Sequence, residues 1–412
     1  MADPNAPGAP APTTNAQQDI TTALIHHPYQ PPPGFEAPQV GVHKASTVIF
    51  RDVAALRSRS WLDKSGYTYG LHGTPTTFTL EQRIATLVGG GHCVLTPSGL
   101  SAVALVDQAL LSQGDEVLIP HNAYGPGREL KRELLSRFGI TMRNYDPMDA
   151  AALPALLTPR TRLLWAEAPG SITMEFPDLR ALLAAARAGG VTSVVDDTWG
   201  AGIAFNAFDC GADIVMQALT KYASGGGDVL MGAVVTRDPA LHERVLHTHM
   251  RLGLGVGAND AEAVLRSLPS LALRYHAQDA AARTLAAWLA TRPEVVRVLH
   301  PALPGSPGHA HWLRHCSAAA GLFSVLLDER YSSEQADAFV DALRLFRLGY
   351  SWAGPVSLVV PYPIQAMRPD TALRGHLVRF SIGLEAVADL QADLAQALER
   401  GLQPTLDRGV TA

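Results

Sequence analysis

The stretch Val194–Tyr222, VVDDTWGAGIAFNAFDCGADIVMQALTKY, holds two short apolar runs, each ending in residues able to do chemistry. One leads into Asp196, Asp197, Thr198 and Trp199; the other leads into Thr220 and Lys221. Apolar runs of strand length predict strands covered on both faces. Working outward, CVLT (93–96), EVLIP (116–120), RLLWAE (162–167) and VLMGAVVT (229–236) are of the same kind. Helix-like stretches separate several of them. LEQRIATLVGG (80–90) sets Leu80, Ile84, Leu87 and Val88 on one face and ends in glycines that can cap it. Strands alternating with helices predict an α/β fold with a mainly parallel, doubly covered sheet. Beyond about residue 268 the pattern changes. A long helical stretch (271–290), the Pro-rich HPALPGSPGH (300–309), then GLFSVLLDE (321–329) and VRFSIGLE (378–385) predict a smaller α+β domain at the C-terminus.

The N-terminal residues 1–18 are rich in Pro, Ala, Asn and Gln and predict a disordered tail, with neither the cationic region nor the apolar run of a signal peptide. Residues 19–73 predict an arm, extended through the Pro- and Gly-rich stretch 26–50, that reaches a neighbouring subunit. The remaining divisions are 74–267, the larger domain, and 268–412. A formal net charge of −5 argues against nucleic acid or an anionic membrane as an obligate partner. Cys93, Cys210 and Cys316 are scattered and form no C-x-x-C pair, which suits a reducing cytoplasm better than a disulfide framework.

In a parallel α/β sheet, ligands bind beyond the C-terminal ends of the strands. After CVLT comes Pro97-Ser98-Gly99-Leu100, opening a helix whose first amides favour a phosphate. After EVLIP comes His121 to Pro126, including Tyr124. With Asp196 and Lys221, these make phosphate donors, an aromatic plate, a carboxylate and a lysine at one sheet edge. Pyridoxal phosphate asks for that set: the lysine takes the aldehyde and the carboxylate keeps the ring nitrogen protonated. Such a contact charge is worth at most roughly 4 kcal/mol at an effective dielectric of about 20, or about three pKa units. Each residue alone has a plainer reading. A lysine after a strand is usually solvated, an Asp pair before a helix usually caps it, and Ser-Gly is usually a turn. Spacing alone leaves the choice open.

The sequence resembles the Cys/Met-metabolism enzymes that use pyridoxal phosphate, with the transferase-like fold called fold type I, and within them the bacterial β-lyases. The resemblance is carried by YGLHGTPTTFTLEQ (69–82), EAPGSITMEFPDL (167–179), the opening stretch, HPALPGSPGH, LGYSWAGPVSLV (348–359) and VRFSIGLEAVADLQADL (378–394), in family order. It implies a seven-stranded, mainly parallel sheet in the larger domain. It also implies that Lys221 binds the cofactor aldehyde, Asp196 pairs with the ring nitrogen, and Tyr124 stacks on the ring and helps activate the substrate amine. Gly99, Leu100 and Thr220 would hold the phosphate, with Tyr69 reaching it from the neighbouring subunit of a homotetramer. Arg379 would grip the substrate carboxylate through its guanidinium fork, with Ser351 and Trp352 lining that pocket.

Trp352 after Ser351, and Gly-Pro after Tyr124, favour β-elimination over γ-elimination or γ-replacement. The implied reaction is cleavage of cystathionine to homocysteine, pyruvate and ammonia, with Lys221 moving a proton from Cα to sulfur. γ-Acting relatives and cysteine or cystine desulfhydrases are the alternatives. Three departures from the family stand out. Leu71 replaces an arginine expected at the phosphate, where His72 is a candidate substitute; Ala218 stands where serine is frequent; and Gly225-Gly226-Gly227 replaces bulkier residues. Lys44 is read as a surface charge, with the distal carboxylate of cystathionine as its other possible contact. The histidines near Cys316 (His309, His311, His315) and the pair His247 and His249 lack a metal pattern. The run Gly253–Gly257 lacks the leading strand of a dinucleotide fingerprint and predicts a loop before a helix capped by Asn259 or Asp260. A nicotinamide-dependent oxidoreductase, or a binding protein that keeps the cofactor site without catalysis, are the rival classes.

Overall fold

In the computed structural model, residues 19–27, 34–35, 37, 39–62, 64–369 and 371–402 are described. The tail expected over 1–18 lies outside them. Packing divides the chain into two units, one of Met1–Ser171 with Phe176–Leu273 and one of Ile172–Glu175 with Arg274–Ala412.

The apolar runs of the first unit become strands β1 (His92–Thr96), β2 (Glu116–Pro120), β3 (Thr141–Tyr145), β4 (Thr161–Glu167), β5 (Thr192–Asp196), β6 (Ile214–Gln217) and β7 (Gly232–Thr236). They form a seven-stranded sheet in the order β1-β7-β6-β5-β4-β2-β3. The pairs from β6 through β5, β4 and β2 to β3 are parallel, and β7 runs antiparallel to both β6 and β1. β1 therefore points the same way as β6. Every residue of β2 and of β7 is buried, which is why both read as unbroken apolar runs. β3 has no such run because, as an edge strand, it buries only Tyr145 fully. The helix Pro75–Val88 begins in a capping box between Thr74 and Thr77 and ends on left-handed Gly89. The helix Gly99–Leu110 is capped by Ser98, whose hydroxyl accepts from the Ser101 amide.

The arm gains local detail outside its extended stretch, and one local expectation is corrected. The arm contains two short helices, Ile20–Ile25 and Val53–Ser58, because Asp19 and Asp52 each cap free amides. The described part of 26–50 holds no helix or strand. The helix after Gly253–Gly257 is capped by neither Asn259 nor Asp260. It spans Ala258–Ser267 with Gly257 as N-cap, which leaves Asp260 in the first turn, where a negative charge is favoured.

The second unit is built on β8 (Val295–Leu299), β9 (Leu322–Leu327), β10 (Arg347–Leu348), β11 (Leu358–Tyr362) and β12 (His376–Ser381), ordered β10-β11-β12-β9-β8. Only the β10–β11 pair is parallel. Phe380 on β12 stacks on Phe323 at 5.5 Å and meets Phe346 edge-on at 5.4 Å, the centre of this unit's core. Ile172–Glu175 belongs here: the Ser324 hydroxyl donates to Ile172 O at 2.6 Å and Arg368 pairs with Glu175 at 2.7 Å. The family stretch EAPGSITMEFPDL is thus shared between the units.

Candidate active site

Because β1, β2, β4, β5 and β6 run in one direction, their C-terminal ends lie along one edge of the first unit's sheet. Asp196 closes β5, opposite Glu167 at the end of β4. Its carboxylate accepts from the Thr198 amide at 3.0 Å and the Thr198 hydroxyl at 2.5 Å. Burial pushes the Asp196 carboxyl up, opposed by those two bonds and by the positive charge of Lys221. That pull sets the lysine and the carboxylate in one electrostatic field. They are tied mechanically as well. The Ala218 amide donates to the Thr198 hydroxyl oxygen at 2.9 Å, and Ala218 O accepts from the Lys221 amide at 3.0 Å. Lys221 itself sits in the turn after β6, partly exposed.

Behind that turn stands the start of the helix Gly99–Leu110. A Cβ on Gly99 would lie 2.6 Å from Ala218 Cβ, closer than any real pair of such atoms. Glycine is therefore required for this helix start, with the amides of Gly99 and Leu100, to approach the lysine turn. The cradle is closed on the other side by Gly232, whose added Cβ would meet Ser98 O at 2.4 Å. Thr220 lies alongside. Its hydroxyl donates to Met231 O at 3.2 Å and accepts from the Met231 amide at 3.0 Å. Its one proton is thus engaged and must turn to serve a phosphate.

Tyr124 is the N-cap of the short helix Gly125–Glu129, and the residue is 44 % exposed. Its amide donates to Glu167 Oε2 at 2.8 Å, while Glu167 Oε1 accepts a short bond from the Ser171 hydroxyl. Tyr124, Asp196, Glu167, Trp165 and Lys131 line one pocket that opens to solvent. An aromatic plate, a carboxylate, a lysine and an amide cradle at one edge fit the ring, ring nitrogen, aldehyde and phosphate of pyridoxal phosphate. Glu167 escaped the sequence reading, and Thr198 was named there without a role. Both stand just where strands end, so the rule that found Asp196 applies to them as well.

Tyr69, Leu71 and His72 follow one another in the first unit, with the Tyr69 and His72 rings 5.9 Å apart. Tyr69 bridges to Thr47, and Gly70 has to be glycine because a Cβ would fall 1.9 Å from Ala45 O. His72 stacks on Trp61 at 5.0 Å and shares a 2.7 Å bond between its Nδ1 and the Thr68 hydroxyl. Burial, and then Arg59, lower its pKa, so it is disfavoured as a cation. Leu71 turns toward the loop 253–257, its Cδ1 3.3 Å from where a Cβ on Gly255 would stand. Lys44 is exposed.

In the second unit, Arg379 lies on β12 at 6 % exposure. Its guanidinium donates to Tyr350 O at 2.8 Å and lies 5.2 Å from the Tyr362 ring centre. Ser351 and Trp352 follow Tyr350 in a loop pinned by the Ala353 amide to the Ser381 hydroxyl at 3.3 Å and by Gln278 Nε2 to Gly354 O at 2.9 Å. Gln278 gave no sequence signal, since it lies mid-helix and far along the chain. The histidines set aside above have local duties: His309 Nδ1 meets Pro301 O at 2.7 Å, and His249 Nε2 meets Leu254 O at 2.9 Å.

Residues 21–399 match the model of the family described as Cys/Met metabolism PLP-dependent enzyme. The chain belongs to that family, and its cofactor is pyridoxal phosphate. It is similar to the cystathionine beta-lyase of Bordetella avium, 40% identical over 395 residues that cover 92% of this chain and 98% of the relative. It is similar also to cystathionine beta-lyase MetC of Escherichia coli (strain K12), 38% identical over 367 residues covering 87% and 93%. Among solved structures, cystathionine gamma synthase from Xanthomonas oryzae pv. oryzae, in complex with aminoacrylate and cysteine, superposes with a TM-score of 0.86 at 30% identity, covering 93% of this chain and 98% of that one.

Proposed function

We propose that this chain is a carbon–sulfur lyase that cleaves L-cystathionine by β-elimination to homocysteine, pyruvate and ammonia, a step of methionine biosynthesis. The observation that carries the reading is the Asp196–Thr198–Ala218–Lys221 linkage at the sheet edge, in a chain whose β-lyase relatives match it almost end to end. Lys221 holds the cofactor and Asp196 pairs with its ring nitrogen. Tyr124 covers the ring, and the amides of Gly99 and Leu100, with Thr220, hold the phosphate. Arg379 receives the substrate carboxylate beside Ser351 and Trp352. Pyridoxal phosphate, when bound, supplies an electron sink for the carbanion character that develops at Cα.

Lys221 Nζ, once free, takes the proton from Cα. The same nitrogen then gives a proton to the departing sulfur, so the Cα–H and Cβ–S bonds break while a Cα=Cβ bond forms. Addition of water completes the conversion to pyruvate and ammonia. The Asp196 carboxylate suits its part because Thr198 and Lys221 work against the burial that would neutralise it. Tyr69 acts from a neighbouring copy in a cytoplasmic homotetramer. The arm supports that assembly with exposed apolar side chains, Ile49 at 91 %, Phe35 at 65 % and Val53 at 58 %. Active monomer in sedimentation would exclude it.

The deciding experiment supplies cystathionine and identifies the keto acid. Pyruvate supports the proposal, whereas 2-oxobutyrate assigns γ-cleavage instead. Lys221→Ala should abolish turnover, and more than a trace of remaining lyase activity refutes the role given to Lys221.

A further inference from the structure

The wall of the cavity beside Tyr124 contains a buried ion pair with no part in the roles above. Lys131 Nζ lies 2.7 Å from Asp107 Oδ2, and the two side chains are 1% and 0% exposed. Trp165 Nε1 donates to Asp107 Oδ1 at 2.8 Å, and the Lys131 ammonium stands 4.6 Å from the Trp165 ring centre. The third side of the ammonium faces Gly127 O at 3.5 Å. Each member comes from an element that shapes the site. Asp107 sits about two turns along the helix that Gly99 opens. Lys131 follows the short helix that Tyr124 caps, and Trp165 is on β4 two residues before Glu167, which takes the Tyr124 amide.

A buried ion pair is a poor way to gain stability, since apolar residues of the same volume often serve equally well. What such a pair provides is a fixed direction. Lys131 lies in a π-helical turn, Leu130–Leu134, in which the Leu135 amide reaches back to Leu130 O. The wider turn is uncommon and concentrates at functional sites. Here it carries a residue whose ammonium meets an acid on a different helix. We propose that Lys131 is a positioning residue for Tyr124, anchored by Asp107 and Trp165. The clamp locks the Tyr124 helix against the helix of the amide cradle, and so sets where the tyrosine ring stands relative to the phosphate. This inference rests on the cofactor placement proposed above.

Two variants of the full-length protein test it, Lys131→Met and the double variant Asp107→Leu/Lys131→Met. The single variant strands a buried carboxylate and should lower Tm; the double variant removes both charges and should recover most of that loss. In the double variant, amide hydrogen exchange across residues 125–134 should still accelerate by about tenfold or more. The visible circular dichroism of the bound cofactor should change with it. Turnover of cystathionine should drop roughly tenfold to a hundredfold in kcat, with KM moved by less than about threefold, as expected for a misplaced group near the reacting atoms. A double variant with recovered Tm and wild-type dichroism and kcat overturns the proposal, because the pair is then only structural. Should the wild-type protein bind no pyridoxal phosphate, the cofactor placement fails on its own account. Hydrogen exchange then still decides: unchanged rates over 125–134 overturn the clamp, and faster rates support it.

Discussion

Gly99→Ala should weaken this protein although alanine is the better helix former. Gly99 has no left-handed backbone to protect, so its need for glycine is purely one of space. The new Cβ would stand 2.6 Å from Ala218 Cβ and 3.3 Å from Ala218 Cα. Comfortable carbon contacts lie at about 3.5–4.0 Å, so one side has to retreat by roughly 1 Å. Overpacking of this kind costs about 1–3 kcal/mol, against a helix-propensity gain of at most about 1 kcal/mol. The net loss of stability is therefore modest, up to about 3 kcal/mol.

The larger effect falls on the ligand. The helix start that retreats carries the Gly99 and Leu100 amides, and a misdirected bond to a charged phosphate forfeits about 1.5–3 kcal/mol. Cofactor affinity should fall roughly tenfold to a hundredfold. Titration of cofactor-free protein with pyridoxal phosphate, followed by its visible absorbance, measures this. Urea denaturation measures the first quantity. A second change in the same chain, Ala218→Gly, removes the opposing methyl and should restore most of the affinity. The reasoning is refuted by a single variant that binds like wild type, or by a double variant no better than the single.

Two further outcomes are expected. Leu71→Arg should slow cofactor loss on dialysis, by as much as about tenfold to a hundredfold if the new guanidinium reaches the phosphate; loss at the wild-type rate would show that no contact is missing there. Asp197 supplies a pH test. Burial pushes its carboxyl up to about 8, with Asp196 adding to the rise, although Gln217 and the Gly202 amide each donate to it at 3.0 Å. The folded state therefore keeps a proton that the unfolded chain releases near pH 4. The stability it contributes is fully present below about pH 4, and is lost as pH rises toward about 8. Asp197→Asn keeps an acceptor for both donors and cannot ionise, so its advantage over wild type in urea denaturation should grow from pH 5 to pH 8 and then level off. Parallel curves would contradict this.

The parts of the fold that read directly from the sequence are those buried on both faces. β2, β5, β6 and β7 each carry an apolar run because their centres are covered on both faces, with polar residues confined to strand ends such as Glu116, Ser193, Gln217 and Thr236. β3 was illegible for the opposite reason, since its exposed edge carries Thr141, Arg143 and Asn144. At the site, residues at strand ends were legible as types, which is how Asp196 and Lys221 came forward. Their linkage through Thr198 was not, because it depends on the register of β5 against β6. The Lys131–Asp107–Trp165 cluster was hidden further. Its members stand 24, 34 and 58 residues apart in the chain and meet only through tertiary packing. Ile172–Glu175 crossed from one unit to the other with no signal in composition at all.

Two of the departures from the family pattern, Leu71 and Ala218, bear on the end of the cofactor where the phosphate is proposed to lie. Leu71 removes a cation expected at the phosphate, and His72 beside it is held on Trp61 with its charge disfavoured. Ala218 offers a methyl where a hydroxyl is frequent, and that methyl packs against Gly99 instead. Thr220 keeps its hydroxyl but spends the proton on Met231 O. On the cofactor placement proposed above, the groups left to a phosphate are main chain, the amides of Gly99 and Leu100 at the start of the helix Gly99–Leu110. Amides cannot be lost by substitution, only moved, and the Gly99–Ala218 contact is what holds them in place. On the proposed placement, phosphate recognition would depend on a steric fit more than on charge, and the methyl-sized change at Gly99 would reach it more directly than an exchange of a charged side chain.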